Sequence, residues 1–247
     1  MIPADVALVQ VINRTATAYV QNAPTYITYR ERTHVSSNMG RTEDVNRFVQ
    51  VRQADDYAVM QDLPQGAQRM GQAFPIIPYF DPLAGFSYSW FANLKRIDIT
   101  IKRIEPGLWP MPAPDPSVNV SIPYISFWAP SYMPDSSDAQ LHFRVVPTPS
   151  LQQGYLYPYD VVVDPQSGLP SHLELRFVGD PTSIALDYRT IEGHWVITHA
   201  TYSAPQHFGP MNFNVTSDTT YEDMTFPAAP PDPRLAGTPV PAPSSSP

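Results

Sequence analysis

Six histidines are the strong nitrogen ligands of this 247-residue chain, and with no cysteine any metal centre or activated nucleophile would be built around them. His194 and His199 lie five apart on one predicted strand. That odd separation turns them to opposite faces, so they are not expected to chelate one ion together. His142 and His172 fall on polar faces of strands that need not be neighbours, and a metal centre would need His207 or a carboxylate to converge on one of them. They read as solvated or hydrogen-bonded structural histidines; no metal and no cofactor is assigned. Gly85-Phe86-Ser87-Tyr88-Ser89 has the first half of a nucleophile elbow, but Ser89 stands where the closing glycine is needed and no buried strand precedes it. Neither a phosphate loop, a dinucleotide fingerprint nor a zinc-protease His-Glu pair occurs. The adjacent carboxylates Glu43-Asp44, Asp55-Asp56 and Glu222-Asp223 would face opposite ways on strands, whereas an acid/base dyad needs carboxylates from different strands about 5 to 9 Å apart. No catalytic residue is assigned, and the chain is expected not to be an enzyme.

The elements that would position any site follow from composition. Hydrophobic residues make up 43% and aromatics 12%, enough to bury a core. Thirty prolines, about 12% against an average near 5%, exclude long helices from most of the chain. A formal charge of -8 repels phosphate backbones and anionic surfaces, so Lys95-Arg96 and Lys102-Arg103 are not read as a nucleic-acid stripe. No apolar run approaches the roughly 20 residues of a membrane-spanning helix, so no integral span is expected.

Val6, Val9, Ile12, Ala16 and Tyr19, spaced by three and four behind Pro3 and Asp5, predict one amphipathic helix. It ends at Asn22 and Pro24. Strands follow: a first hairpin turns at Ser37-Asn38-Met39-Gly40, with Val45, Val49 and Val51 on one face, and Ile97, Ile99 and Ile101 alternate with polar residues. Segments near 139–147, 155–163, 171–178, 182–190, 194–203, 210–216 and 219–226 are spaced as an antiparallel meander. Leu173, Leu175 and Phe177 oppose His172, Glu174 and Arg176, while Ile184, Leu186 and Tyr188 oppose Ser183, Asp187 and Arg189, which gives one greasy and one wet face.

Two proline-broken stretches, 74–91 and 107–112, are too rich in rings to be exposed loops and are expected to cover the greasy face. Phe74, Ile77, Phe80, Phe86, Trp90, Phe91, Trp109 and Trp128 are the candidate ligand-binding residues. Two states stay open. The rings line a dry cavity between sheet and lid, or they complete a solid core.

The order Asp164-Pro165-Gln166-Ser167-Gly168-Leu169-Pro170, then Ile184-Ala185-Leu186-Asp187-Tyr188, Gly193-His194-Trp195-Val196 and Tyr221-Glu222-Asp223, resembles the outer-membrane-lipoprotein carrier superfamily of LolA/LolB type. The resemblance covers residues 1–226 as an order of elements. It implies a mainly β fold with an N-terminal α-helix: a curved antiparallel sheet, an unclosed half-barrel, covered by that helix and by aromatic Pro-rich lid loops. No functional residue of the carriers matches a position here.

Residues 1–226 are thus expected to form one β domain, and 227–247, with eight prolines among alanines and serines, a disordered tail. The expected function is non-enzymatic binding or carriage of a lipid, an acylated group or another hydrophobic ligand. The alternative is a structural or interaction protein of the cell envelope with a filled core; a hydrolase using carboxylates converging inside the half-barrel is the third. Protein partners are not specified. Read as the native start, Met1 points to the cytoplasm; read as following a removed leader, it points to the periplasm or the exterior.

Overall fold

The computed structural model describes residues 1–22, 24–40, 42–52, 57–62, 79–81, 86–88, 100–103, 128–151, 153, 156–208 and 210–237. Among the described residues there is one α-helix, α1 (Ala4–Asn22), followed by strands β1 (Tyr26–Ser37), β2 (Thr42–Arg52), β3 (Tyr57–Asp62), β4 (Tyr79–Asp81), β5 (Phe86–Tyr88) and β6 (Thr100–Arg103). The later strands are β7 (Trp128–Tyr132), β8 (His142–Pro147), β9 (Leu156–Val163), β10 (Pro170–Phe177), β11 (Ser183–Ile191), β12 (His194–Phe208) and β13 (Met211–Thr225). Hydrogen bonding orders eleven of them as β6-β3-β2-β1-β13-β12-β11-β10-β9-β8-β7, an antiparallel sheet that among the described residues ends at β6 and β7, while β4 and β5 pair apart. The expected class, mainly β with an N-terminal helix and an unclosed sheet, is the one observed.

The chain divides into two compact units. Unit 1 comprises Met1–Ala23 and Trp109–Thr216; unit 2 comprises Pro24–Leu108 and Ser217–Pro247. In unit 1, α1 buries Ala7, Leu8, Val11, Ile12 and Thr15, with the Thr15 hydroxyl donating to the Val11 carbonyl at 2.8 Å. This stripe is turned from the predicted one: Val6 is exposed and Val9 half-buried. The pairs 7/8 and 11/12 make a wider apolar band than single residues at three- and four-residue steps, and packing selects the wider band.

Helix α1 runs across the strands of unit 1. The Ile2 carbonyl accepts from Tyr132 Oη at 2.9 Å at the β7 edge, the Arg14 guanidinium lies against Gly168 between β9 and β10, and the helix also packs on β12. The Asp164–Leu169 turn that carries part of the family resemblance is built by its aspartate: Asp164 Oδ2 accepts from Ser167 N at 2.9 Å and Ser167 Oγ at 2.6 Å. Gly168 is required there twice over. Its φ is +66°, and a Cβ would meet Arg14 Nη1 at 1.7 Å. Beyond β11, Glu192 and Gly193 have φ of 51° and 85° between the paired residues Ile191 and His194, a two-residue hairpin of the primed kind.

In unit 2 the predicted first hairpin forms, with Tyr26–Ser36 opposite Thr42–Arg52 and Gly40 at φ 75°. The two segments foreseen at 210–216 and 219–226 are one strand, β13, which continues through Ser217 and Thr219 because both are buried, with Thr219 held by Thr33 at 2.9 Å. Residues 233–236 form a 3-10 turn capped by Asp232, Leu235 is buried, and the buried Arg52 donates to the carbonyls of Leu235 and Gly237, both at 2.6 Å. A guanidinium that finds two main-chain acceptors, together with one leucine, orders a segment whose composition alone favours solvated chain. Residues 238–247 lie outside the described residues.

Candidate functional site

Strand alternation gives the sheet of unit 1 two chemically opposite faces. Its buried face is apolar from the edge strand inward: Trp128 on β7, Phe143 and Val145 on β8, Val161 and Val163 on β9, Leu173 and Leu175 on β10, then Ile184, Leu186 and Tyr188 on β11. Tyr188 stacks on Trp195 with centroids 4.2 Å apart and planes 8° from parallel, and Trp195 Nε1 donates to the Pro170 carbonyl at 2.9 Å. Burial holds the Tyr188 phenol far above its ordinary pKa. Tyr132 packs on Phe143 at 5.2 Å.

Of the eight candidate ligand-binding residues, Trp128 is placed by the structure on this face, 4% exposed, opposite Pro147 in the β7–β8 ladder. Phe80 and Phe86 lie on β4 and β5, in register with Ser87 and Asp81. Phe74, Ile77, Trp90, Phe91 and Trp109 fall outside the described residues, as do Ile97, Ile99 and both aromatic stretches other than β4 and β5. Ser87 of the half-elbow is a residue of β5.

The polar face of unit 1 carries the histidines. His142, Val162, His172, Asp187 and His199 occupy one cross-strand row over β8, β9, β10, β11 and β12. His142 is held on both ring nitrogens, with Nδ1 at 2.8 and 2.9 Å from the Asp135 carboxylate and Nε2 at 2.9 Å from Asp160 Oδ1. Partial burial lowers its pKa, but the bonds to Asp135 and Asp160 outweigh that and leave it raised. Asp160 is itself buried and accepts from Arg144 Nη2 at 2.7 Å and Nε at 3.1 Å. Arg144 and Arg176 lie 4.2 and 3.4 Å from the Tyr159 ring centroid, Arg144 also donates to the Tyr159 hydroxyl, and Arg176 pairs with Glu174 at 2.7 Å.

Further along the row, the two oxygens of Asp187 each meet one imidazole: His172 Nδ1 at 2.6 Å and His199 Nδ1 at 2.8 Å. Burial raises the Asp187 pKa and the two histidine bonds lower it more, so the carboxyl stays below its ordinary value. The ligand atoms thus point at one another, and among the described residues no group of three or more ligating side chains can hold a metal ion.

The parity argument for His194 and His199 fails for a physical reason. The β11–β12 register shifts between Asp187 and Tyr188, so His199 opposes Asp187 while Ile197 opposes Tyr188, and Thr198 is the extra residue. One bulge reverses the alternation and brings His194, opposite Ile191, onto the same face as His199. Their partners Asp187 and Ile191 are still four positions apart on β11, about 13 Å along a strand. The conclusion that they do not chelate together survives with a different cause.

Unit 2 has a different buried face. Tyr29, Glu31, Thr33 and Val35 of β1 alternate inward, and Glu31 stands directly opposite Arg47 of β2, both side chains almost wholly buried. The Thr33 hydroxyl reaches Glu31 Oε1 at 3.0 Å and the Thr219 hydroxyl at 2.9 Å, and the Tyr29 ring meets Tyr221 edge-on at 5.5 Å. The sequence reading grouped Val45, Val49 and Val51 and passed over Arg47 between them. The signal was available: Arg47 shares their parity, as Glu31 shares that of Tyr29 and Thr33.

No protein-family model matches the chain, and no curated protein matches it. Among solved structures, a LolA superfamily protein from Nitrosomonas europaea is similar at 10% identity and TM-score 0.41, over 89% of this chain and 94% of that one. A DUF1329 family protein from Desulfovibrio piger is similar at 9% identity and TM-score 0.43, over 92% and 94%. The Pseudomonas aeruginosa MucA/MucB complex is similar at 12% identity and TM-score 0.26, over 90% and 99%.

Proposed function

We propose that this chain is a non-enzymatic binder of a lipid or other hydrophobic ligand, held against the apolar face of unit 1. The observation that carries the reading is the composition of that face: from Trp128 on the open edge strand to Leu186 on β11 it offers apolar side chains, while charged groups are confined to the other side. Such a face binds by removing apolar surface from water, at about 25 cal/mol per Å² before ordering costs. Phe74, Ile77, Phe80, Phe86, Trp90, Phe91 and Trp109 are the further side chains through which the chain would hold the ligand. A periplasmic or extracellular setting fits a carrier of this kind.

The test is titration of purified protein with a fluorescent fatty acid, together with lipid extraction and native mass spectrometry. Saturable binding that Trp128→Ala weakens about tenfold or more supports the reading; no co-purified lipid and no saturable binding rejects it. A second reading, an envelope structural or interaction protein with a filled core, draws support from Phe143, Val145 and Leu175, each 0% exposed. It predicts failure of the same titration with the fold intact.

A further inference from the structure

The clearest unassigned device is the double grip on His142. A carboxylate only accepts, so an imidazole with Asp135 on one nitrogen and Asp160 on the other donates from both, and is held as the imidazolium. Asp160 is anchored in β9 by two bonds from Arg144. Asp135 is mostly exposed and belongs to the turn between β7 and β8. This turn begins one residue past Tyr132, whose hydroxyl donates to the carbonyl of Ile2 ahead of helix α1.

We propose that His142 is a protonation-controlled catch that fixes the 133–141 turn at the end of β7, beside the start of α1. The groups facing His142 are Asp135 from the turn, Asp160 from β9, Arg144 from its own strand, and His172 and Glu174 from β10; on β7 the residue opposite Arg144 is Ser131. With the imidazolium present, His142 and Arg144 balance Asp135 and Asp160. Loss of the proton leaves Asp160 with Arg144 and removes the charge that holds Asp135. The folded pKa is raised, so the grip is complete below the ordinary histidine value near 6.5 and is lost as pH rises through the folded value. Other bonds of the turn, among them Ser136 Oγ to the His142 carbonyl at 2.6 Å, Met133 N to the same carbonyl at 2.9 Å and His142 N to Ser136 Oγ at 2.9 Å, do not titrate in this range, so the turn loosens without the strands separating.

The experiment needs no ligand. On the full chain, the His142 side-chain resonance is titrated by NMR between about pH 5 and 9, and hydrogen-exchange protection, corrected for intrinsic exchange, is followed for the 133–141 amides. The expected result is one shared midpoint above the ordinary histidine value and a fall in protection of about tenfold across it. His142→Gln is expected to show the high-pH protection at every pH. Asp135→Asn, which changes an exposed residue and leaves the Arg144–Asp160 pair intact, is expected to lower the midpoint and weaken protection at low pH. Protection that ignores the His142 midpoint, or an Asp135→Asn protein with unchanged midpoint and protection, overturns the proposal.

Discussion

Units 1 and 2 both bury one face of an antiparallel sheet, but in unit 2 that face also hides charged side chains among its apolar ones. In unit 1 the hidden positions from β7 to β11 are Trp, Phe, Val, Leu, Ile and Tyr, and the ionic groups stand on the other side. In unit 2 the hidden row runs from Tyr29 through Glu31 to Thr33, with Arg47 opposite. Apolar side chains are interchangeable within volume limits, so the first kind of face tolerates a guest that contributes only apolar area. Two charged side chains opposite one another in a sheet interior are not interchangeable: each carries a desolvation penalty that its surroundings must offset, and shifting β1 by one residue against β2 would take them out of register. The first face suits binding, the second fixes a register.

The largest effect expected from this contrast is at Arg47. Arg47→Met strands Glu31 in the buried face and should cost about 3 to 5 kcal/mol in urea unfolding, whereas the double replacement Glu31→Leu with Arg47→Met should recover most of that loss. Additive losses in the double variant would show that the two side chains do not act as a pair. A smaller effect is expected where unit 2 receives the C-terminal segment: Leu235→Ala removes a fully buried side chain and should cost about 2 to 4 kcal/mol, with new protease cleavage between 227 and 237. Wild-type stability and wild-type proteolysis in Leu235→Ala would return that segment to the solvated tail its composition suggests. The smallest is Gly168→Ala in unit 1, with a positive φ and Arg14 in the way. It should cost about 1 to 3 kcal/mol by thermal unfolding, less if Arg14 swings aside.

These positions also show how much was legible in the sequence. Period-two alternation identified β10 and β11 with their greasy and wet faces, because both faces were chemically uniform over several residues. It found the first hairpin from Gly40, which supplies the positive φ the turn needs. The buried Glu31 and Arg47 were passed over because a charged residue in an apolar row looks like an interruption until its cross-strand partner is known, and register is a tertiary property. The bulge at Thr198 was unreadable for the same reason: nothing in Ile197-Thr198-His199 marks an extra residue. Leu235 was lost among prolines and alanines because its burial depends on Arg52, 183 residues away in the sequence. The histidine row is the case between. His142 and His172 were placed on polar faces correctly, yet that Asp187 would serve His172 and His199, and that Asp135 and Asp160 would share His142, follows from strand order and turn placement.

Whether the apolar face of unit 1 accepts a guest is decided most directly by the fatty-acid titration of the wild-type chain alongside Trp128→Ala and Arg47→Met. Saturable binding that Trp128→Ala weakens, and that Arg47→Met leaves unchanged wherever the protein remains folded, is the outcome the face-by-face account predicts. A folded wild-type chain that takes up no fatty acid, or one whose binding Trp128→Ala leaves untouched, contradicts it.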